Sequence, residues 1–213
     1  MKAFLPLGLL PLLALSSCFL FEKEEMGSEA PVSAFLGDRQ DLRLCRRVLV
    51  LPIQSTNMTS TLRKDLEEAL LSELAFQGRF QVLRMEPSQG AEGKEIYPTE
   101  RRGRIDPDLV VELGRRYQAD ALLLTRVTQW FPYKPPRIGL RLQLVSVHSG
   151  KVIWAIDQTW DAGTERTRLD LINYARTTLA PQENLHGWEF LMISPRRFGR
   201  FALRRSVNTL SRR

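Results

Sequence analysis

The residues that could do chemistry are few in this chain and stand far apart. His148 and His186 are its two histidines, in 213 residues. Neither has a second ligand at the spacing a tetrahedral metal site needs. No Gly-x-Ser-x-Gly elbow is present to raise a nucleophilic serine. Ser149-Gly150-Lys151 lacks the glycine-rich stretch that precedes the lysine of a phosphate-binding loop, so it reads as a turn. Asp157 and Asp161 lie four apart near a strand end. A carboxylate pair does acid–base work only across a shared cleft, and solvated side chains are the simpler expectation here. The expected content is no enzyme, no metal and no cofactor.

The two cysteines carry different expectations. Cys18 follows Lys2, an apolar stretch from Ala3 to Leu15, and Leu15-Ser16-Ser17. The charge-free run continues through Phe21, long enough to raise a membrane span. Pro6 and Pro11 would interrupt such a helix, and small residues just before a cysteine suit cleavage. Leu-Ser-Ser-Cys resembles the bacterial lipobox. That resemblance implies removal of residues 1–17 as a lipoprotein signal peptide and acylation of Cys18, palmitate included. A plain cleaved signal and a retained anchor are the alternatives. Two or more acyl chains hold a protein stably on a bilayer. By the same resemblance the residue after the cysteine influences sorting; Phe19 is not the aspartate associated with inner-membrane retention, which implies the periplasmic face of an outer membrane in a diderm bacterium. With Cys18 acylated, Cys45 has no intramolecular disulfide partner. It borders an apolar strand and is expected to be a buried, inert thiol rather than a reactive one.

Composition is that of a folded protein, with 43% hydrophobic and 26% charged residues, which excludes wholesale disorder and a collagen-like fibre. The formal charge of +7 is unevenly placed. Residues 19–44 are net acidic and read, after Cys18, as a flexible tether over 18–44. Residues 194–213 hold seven arginines and no acid. The basicity belongs to the C-terminus and lacks stacking aromatics, so no nucleic-acid partner is expected.

Residues 45–213 read as a single α/β domain. Arg47–Ile53 is a continuous apolar run suited to a strand covered on both faces. Leu62, Leu66, Ala69, Leu70, Leu74 and Ala75 follow at helical spacing, with Thr59 or Ser60 as cap and Gly78 as stop. A second strand covers Phe80–Met85. Residues 86–105 form a long loop with a basic spot at Arg101, Arg102 and Arg104. Asp106-Pro107 starts a helix, and Ala119–Trp130 is a third strand. Arg137–Val147 and Lys151–Trp160 alternate as a hairpin about His148-Ser149-Gly150, with Val152, Trp154 and Ile156 on one face. One side of that hairpin is left exposed or partly covered. Helices follow over 164–179, ended by Pro181, and from Ser194-Pro195. The class is α+β, an α/β sandwich: a single mixed sheet, order β-α-β-α-β-β-β-α-α, with helices packed on one face.

Two stretches could carry contacts. Trp130-Phe131-Pro132-Tyr133-Lys134-Pro135-Pro136 is a stiff aromatic loop whose rings either fill the core or meet a partner or the headgroup layer. In the last helix Phe198, Ala202, Leu203, Val207 and Leu210 share one face and Arg197, Arg200, Arg204, Arg205 and Arg212 the other. That basic face is either simply solvated or attracted to anionic headgroups or an acidic partner.

Four segments, VLVLPI (48–53), ADALLLTRV (119–127), LRLQLVSVHSGKVIWAID (140–157) and SPRRFGRFALRRSV (194–207), are similar to a family of bacterial envelope lipoproteins. It includes the curli-secretion, penicillin-binding-protein-activator and Pel-export lipoproteins, with a fold related to the amino-terminal domain of the Tol-system propeller protein. The resemblance implies a scaffold rather than a reaction. It implies a lipid-anchored, non-catalytic periplasmic accessory protein that docks on a secretion, polymer-export or wall-synthesis complex, with an envelope protein partner and a possible homo-oligomer. The alternative is a small-ligand or glycan-binding envelope lipoprotein using the aromatic loop.

Overall fold

A computed structural model describes residues 31–85, 88–89, 95–96, 106–180 and 187–210. The strands are β1 (Phe35–Leu36), β2 (Arg47–Val50), β3 (Gln81–Arg84), β4 (Ser88–Gln89), β5 (Glu95–Ile96), β6 (Ala121–Phe131), β7 (Arg137–Ser146) and β8 (Val152–Asp161). The helices are α1 (Arg39–Leu44), α2 (Ser60–Phe76), α3 (Pro107–Tyr117), α4 (Glu165–Thr178), α5 (Glu189–Ile193) and α6 (Pro195–Val207), followed by a 3-10 turn at Asn208–Leu210.

One mixed six-stranded sheet runs β1-β8-β7-β6-β2-β3, and β4 pairs with β5 separately. β2 is parallel to both β3 and β6, while β6, β7 and β8 are antiparallel neighbours. The Asp120 carboxylate accepts from the backbone N–H groups of Arg46 and Arg47, each at 2.8 Å, which sets β2 beside β6. The expected α+β class and single mixed main sheet are present, and the expected element order runs from β2 to α6 with β4, β5 and α5 added. The reading of 18–44 as a tether is corrected over its last part. Phe35–Leu36 pairs with β8, and α1 buries Leu42 in the core. The signal there is short: one apolar side chain behind an Asp38 cap that accepts from the Gln40 N–H at 2.8 Å.

Side chains of β2 alternate between two cores, as a strand buried on both faces must. Val48 and Val50 join the larger cluster with residues of α1, α2, α4, α5 and α6. Leu49 and Leu51 join a smaller one with Val110 and Leu113. The expectation of helices on one face is therefore corrected for α3, which covers β2 and β6 from the other side. Val152 also changes face. The register passes from Leu144↔Trp154 to Val145↔Val152, so Ile153 is an extra residue and the bulge turns Val152 towards the smaller cluster. Ile153, Trp154 and Ile156 remain in the larger one.

Caps act where the sequence places them. Thr59 Oγ1 accepts from Leu62 N–H, Asp106 from Asp108 N–H with Pro107 next, and Ser194 Oγ from Arg197 N–H with Pro195 next. Gly78 follows α2 with φ of 64°, where a side chain would be strained. Pro181 lies outside the described residues.

Helix α6 lies on the larger core, against α2 and α4. Phe198, Phe201, Ala202, Leu203 and Val207 are each fully buried. Phe201 also meets Tyr174 of α4 edge-on, ring centroids 5.4 Å apart. Gly199 lets α2 approach: a Cβ there would stand 2.4 Å from Leu66 Cδ2. Gly199→Val is therefore expected to destabilise the fold by about 2 kcal/mol through overpacking, read as a lower urea midpoint. An unchanged midpoint would contradict the close crossing.

Candidate functional site

The aromatic loop connects β6 to β7, and its rings divide. Trp130 is half-buried and packs on the larger core. Phe131 is 56% and Tyr133 84% exposed. Lys134 and Pro135 are also exposed, and Pro136 is buried. The Arg137 guanidinium lies 5.6 Å from the centre of the Phe131 ring and 2.6 Å from Asp161 across the hairpin. The loop is further held by the Ala162 N–H, which donates to Pro136 O at 3.0 Å. Two aromatic rings thus project into solvent from a frame of three long strands.

The α6 arginines have intramolecular partners. Arg200 Nε donates to Glu73 Oε1 at 3.3 Å, and Arg204 donates to Glu73 Oε2 at 3.0 Å. Glu73 sits on α2 and is 2% exposed. Arg204 also lies over the Phe76 ring and Arg197 over the Phe190 ring, at 5.1 and 4.7 Å. Arg205, expected on the polar face, is a correction. It is 3% exposed and donates to both Asp170 oxygens at 3.3 Å. The reason is that α4 packs over that side of α6, a contact invisible to a helical wheel. Arg212 lies outside the described residues.

The candidate chemical groups resolve into structure. Asp157 and Asp161 stand directly opposite Arg141 and Arg137 in the β7–β8 register and pair with them. Ser149-Gly150 is the hairpin turn, with Gly150 at φ of 67°. Asp41 of α1 accepts from Ser146 Oγ at 2.8 Å and from Ser149 Oγ, so α1 pins that turn. His148 is exposed there. No group of three or more metal-ligating side chains occurs among the described residues, and no described helix is long and apolar enough to cross a membrane. Cys45 is buried, and its thiol donates to Asp41 O at 3.3 Å. Burial, with the Asp41 and Asp120 charges, pushes that thiol up to about 11. Cys18, His186, Arg101, Arg102 and Arg104 lie outside the described residues.

Sequence reasoning passed over Asp41, Glu73, Asp120, Asp170 and Arg166. Each is an isolated charge on a helix or strand end, and only tertiary packing gives it a partner. Arg166, at the start of α4, donates to Pro31 O at 2.7 Å and so holds the described chain where it begins.

No protein-family profile and no curated protein matches the sequence. Among solved structures the chain is similar to a PelC dodecamer from Paraburkholderia phytofirmans. The identity is 18% over 65% of this chain and 87% of that chain, with a TM-score of 0.41. It is also similar to lipoprotein GNA1162 from Neisseria meningitidis, at 16% identity over 54% of this chain and 81% of that chain, TM-score 0.37. LpoB from E. coli is similar at 15% identity over 74% of this chain and 84% of that chain, TM-score 0.36.

The buried ion pairs give an ordered expectation. Asp170→Ala removes the carboxylate from a buried guanidinium and should cost about 3–5 kcal/mol. Glu73→Ala should cost less, about 1–3 kcal/mol, because Arg200 is half exposed and water screens it. Urea unfolding of both variants checks the order. For Cys45, the folded state holds the proton more tightly than the unfolded chain. Its contribution to stability is complete below the ordinary thiol range and is lost as pH rises towards 11. In a Cys18→Ser chain at pH 8, a disulfide reagent should modify Cys45 no faster than the protein unfolds. Rapid labelling of the native protein would contradict the buried thiol.

Proposed function

We propose that this chain is a lipid-anchored, non-catalytic accessory protein on the periplasmic face of an outer membrane. It docks on an envelope complex for secretion, polymer export or wall synthesis. The observation that carries the reading is the pairing of a lipobox-like cysteine at position 18 with a rigid domain that presents Phe131 and Tyr133 to solvent. Exposed aromatic rings on a fixed frame are suited to contact with a protein partner or the headgroup layer, since they bring large area at little cost in side-chain entropy. The carboxylates on the open face of the hairpin are held in cross-strand ion pairs, an arrangement suited to solvation rather than to catalysis. A homo-oligomer is compatible with this role.

A second reading, a small-ligand lipoprotein, is favoured by one pocket. A space of about 230 Å³ at the start of α6 has Tyr174, Leu179 and Leu191 on its wall and Arg196, Arg197 and Arg200 at its rim. Its chemistry suits a small anion with an apolar part. None of its lining residues belongs to the aromatic loop.

Mass analysis of protein extracted from native membranes tests the anchor. The N-terminal peptide should begin at Cys18 and carry acyl chains, and Cys18→Ala should move the protein to the soluble fraction. Crosslinking in those membranes should then join the domain to another envelope protein or to further copies. A monomer without crosslinks would overturn the docking reading and leave the ligand pocket.

A further inference from the structure

The described chain begins at one end of the sheet, and that end is the aromatic one. β1 runs antiparallel to β8, with Phe35 opposite Ala155 and Leu36 opposite Trp154. Carried back along the strand, this register sets Pro31 beside Thr159, close to the end of β8. Two contacts agree with that position. Arg166 holds the Pro31 carbonyl at 2.7 Å, and Val32 shares a pocket of about 270 Å³ with Thr159, Trp160, Asp161 and Thr164. Asp161 in turn holds Arg137, whose guanidinium covers Phe131. Pro31, Arg166, Asp161, Arg137 and the aromatic loop therefore form one contiguous end of the molecule. Helix α6 starts at the same end, because Thr209, just past its last turn, accepts from Trp154 Nε1 at the opposite end of β8.

We propose that this end, led by Phe131 and Tyr133, lies against the bilayer that carries the anchor, so that the domain stands upright on its aromatic loop. The proposal rests on the acylation of Cys18 given above. Twelve residues lie between Cys18 and Pro31, so the thirteen steps reach about 45 Å when fully extended. A ten-residue strand such as β8 is about 33 Å long. Turning the opposite end to the membrane would take most of the tether along the side of the sheet. With the aromatic end down, the tether needs only a short path. The chemistry of the end matches a headgroup layer. Tyrosine is favoured at headgroup depth, and a phenylalanine ring can bury its apolar area at the headgroup–acyl boundary. Exposed Lys134, Arg137 and Arg166 lie at the same end, with Asp161 paired to Arg137 and Glu165 a further acid among the described residues. Arg196 and Arg197, at the start of α6, add positive charge that suits anionic lipid. The hairpin turn at His148–Lys151, with α1 pinned to it, is then the face held furthest from the membrane.

The test supplies the anchor chemically, so that it reads orientation apart from acylation. Chain 18–213 is coupled through Cys18 to a maleimide lipid in phosphatidylethanolamine–phosphatidylglycerol vesicles containing a diazirine phospholipid; Cys45, being buried, is spared. After illumination, peptide mapping should place lipid adducts on residues 131–137 at least fivefold above residues 148–151. Phe131→Ser with Tyr133→Ser, both exposed and so harmless to folding, should remove most of them. Adducts on the hairpin turn, equal labelling of both ends, or a loop that crosslinks in native membranes to a protein and not to lipid would each overturn the proposal. An unacylated Cys18 in native membranes would instead remove the anchor reading, whatever the vesicles show.

Discussion

Helix α6 places five arginines between positions 196 and 205 on an element whose other side is the centre of the core. Guanidinium groups cannot follow apolar side chains out of water without compensation. The structure meets that constraint with carboxylates drawn from the two flanking helices: Glu73 of α2 for Arg200 and Arg204, and Asp170 of α4 for Arg205. Such pairs add little net stability, because desolvation offsets their attraction. The apolar contacts of Phe198, Phe201 and Leu203 supply the driving force, and the carboxylates of α2 and α4 meet the arginines that this seating brings against them.

The rest follows from that placement. With α6 seated, Gly199 brings α2 close and Tyr174 brings α4 close. The 3-10 turn after α6 then ties Trp154, and with it β8, to the same layer. The β6–β7–β8 frame is stiffened on this side, while its other side carries cross-strand ion pairs. A loop at the end of such a frame is displayed rather than buried, which is how Phe131 and Tyr133 come to face solvent. Of the charge on α6, Arg205 is internal to the helical layer, while Arg200 and Arg204 reach Glu73 from its surface.

Much of the fold was legible because it rests on local rules. Asp106-Pro107 and Ser194-Pro195 announced helices, and Gly78 and Gly150 announced turns that need positive φ. Alternation at Ile138, Leu140, Leu142 and Leu144 announced the buried face of β7. What was not legible depends on which element covers which. The position of α3 on the second face, the bulge that turns Val152, and the burial of Arg205 all arise from contacts between distant segments. The early helix α1 escaped notice because its packed side chain, Leu42, lies in a charged, glycine-containing stretch. For the candidate site, the sequence singled out the aromatic loop but could not divide Trp130 from Phe131 and Tyr133, since burial there depends on where the strand leaves the sheet. Arg166 carries no local signal, because its role is set by a carbonyl 135 positions away.

The central claim is that the basic C-terminal helix is a core element held by buried carboxylates, and native-state hydrogen exchange tests it most directly. Amides of residues 199–207 should exchange only through global unfolding, with the same opening free energy as the central strands β6 and β7. Exchange of α6 at a free energy well below that of the sheet, as a helix that detaches on its own would show, would contradict the account.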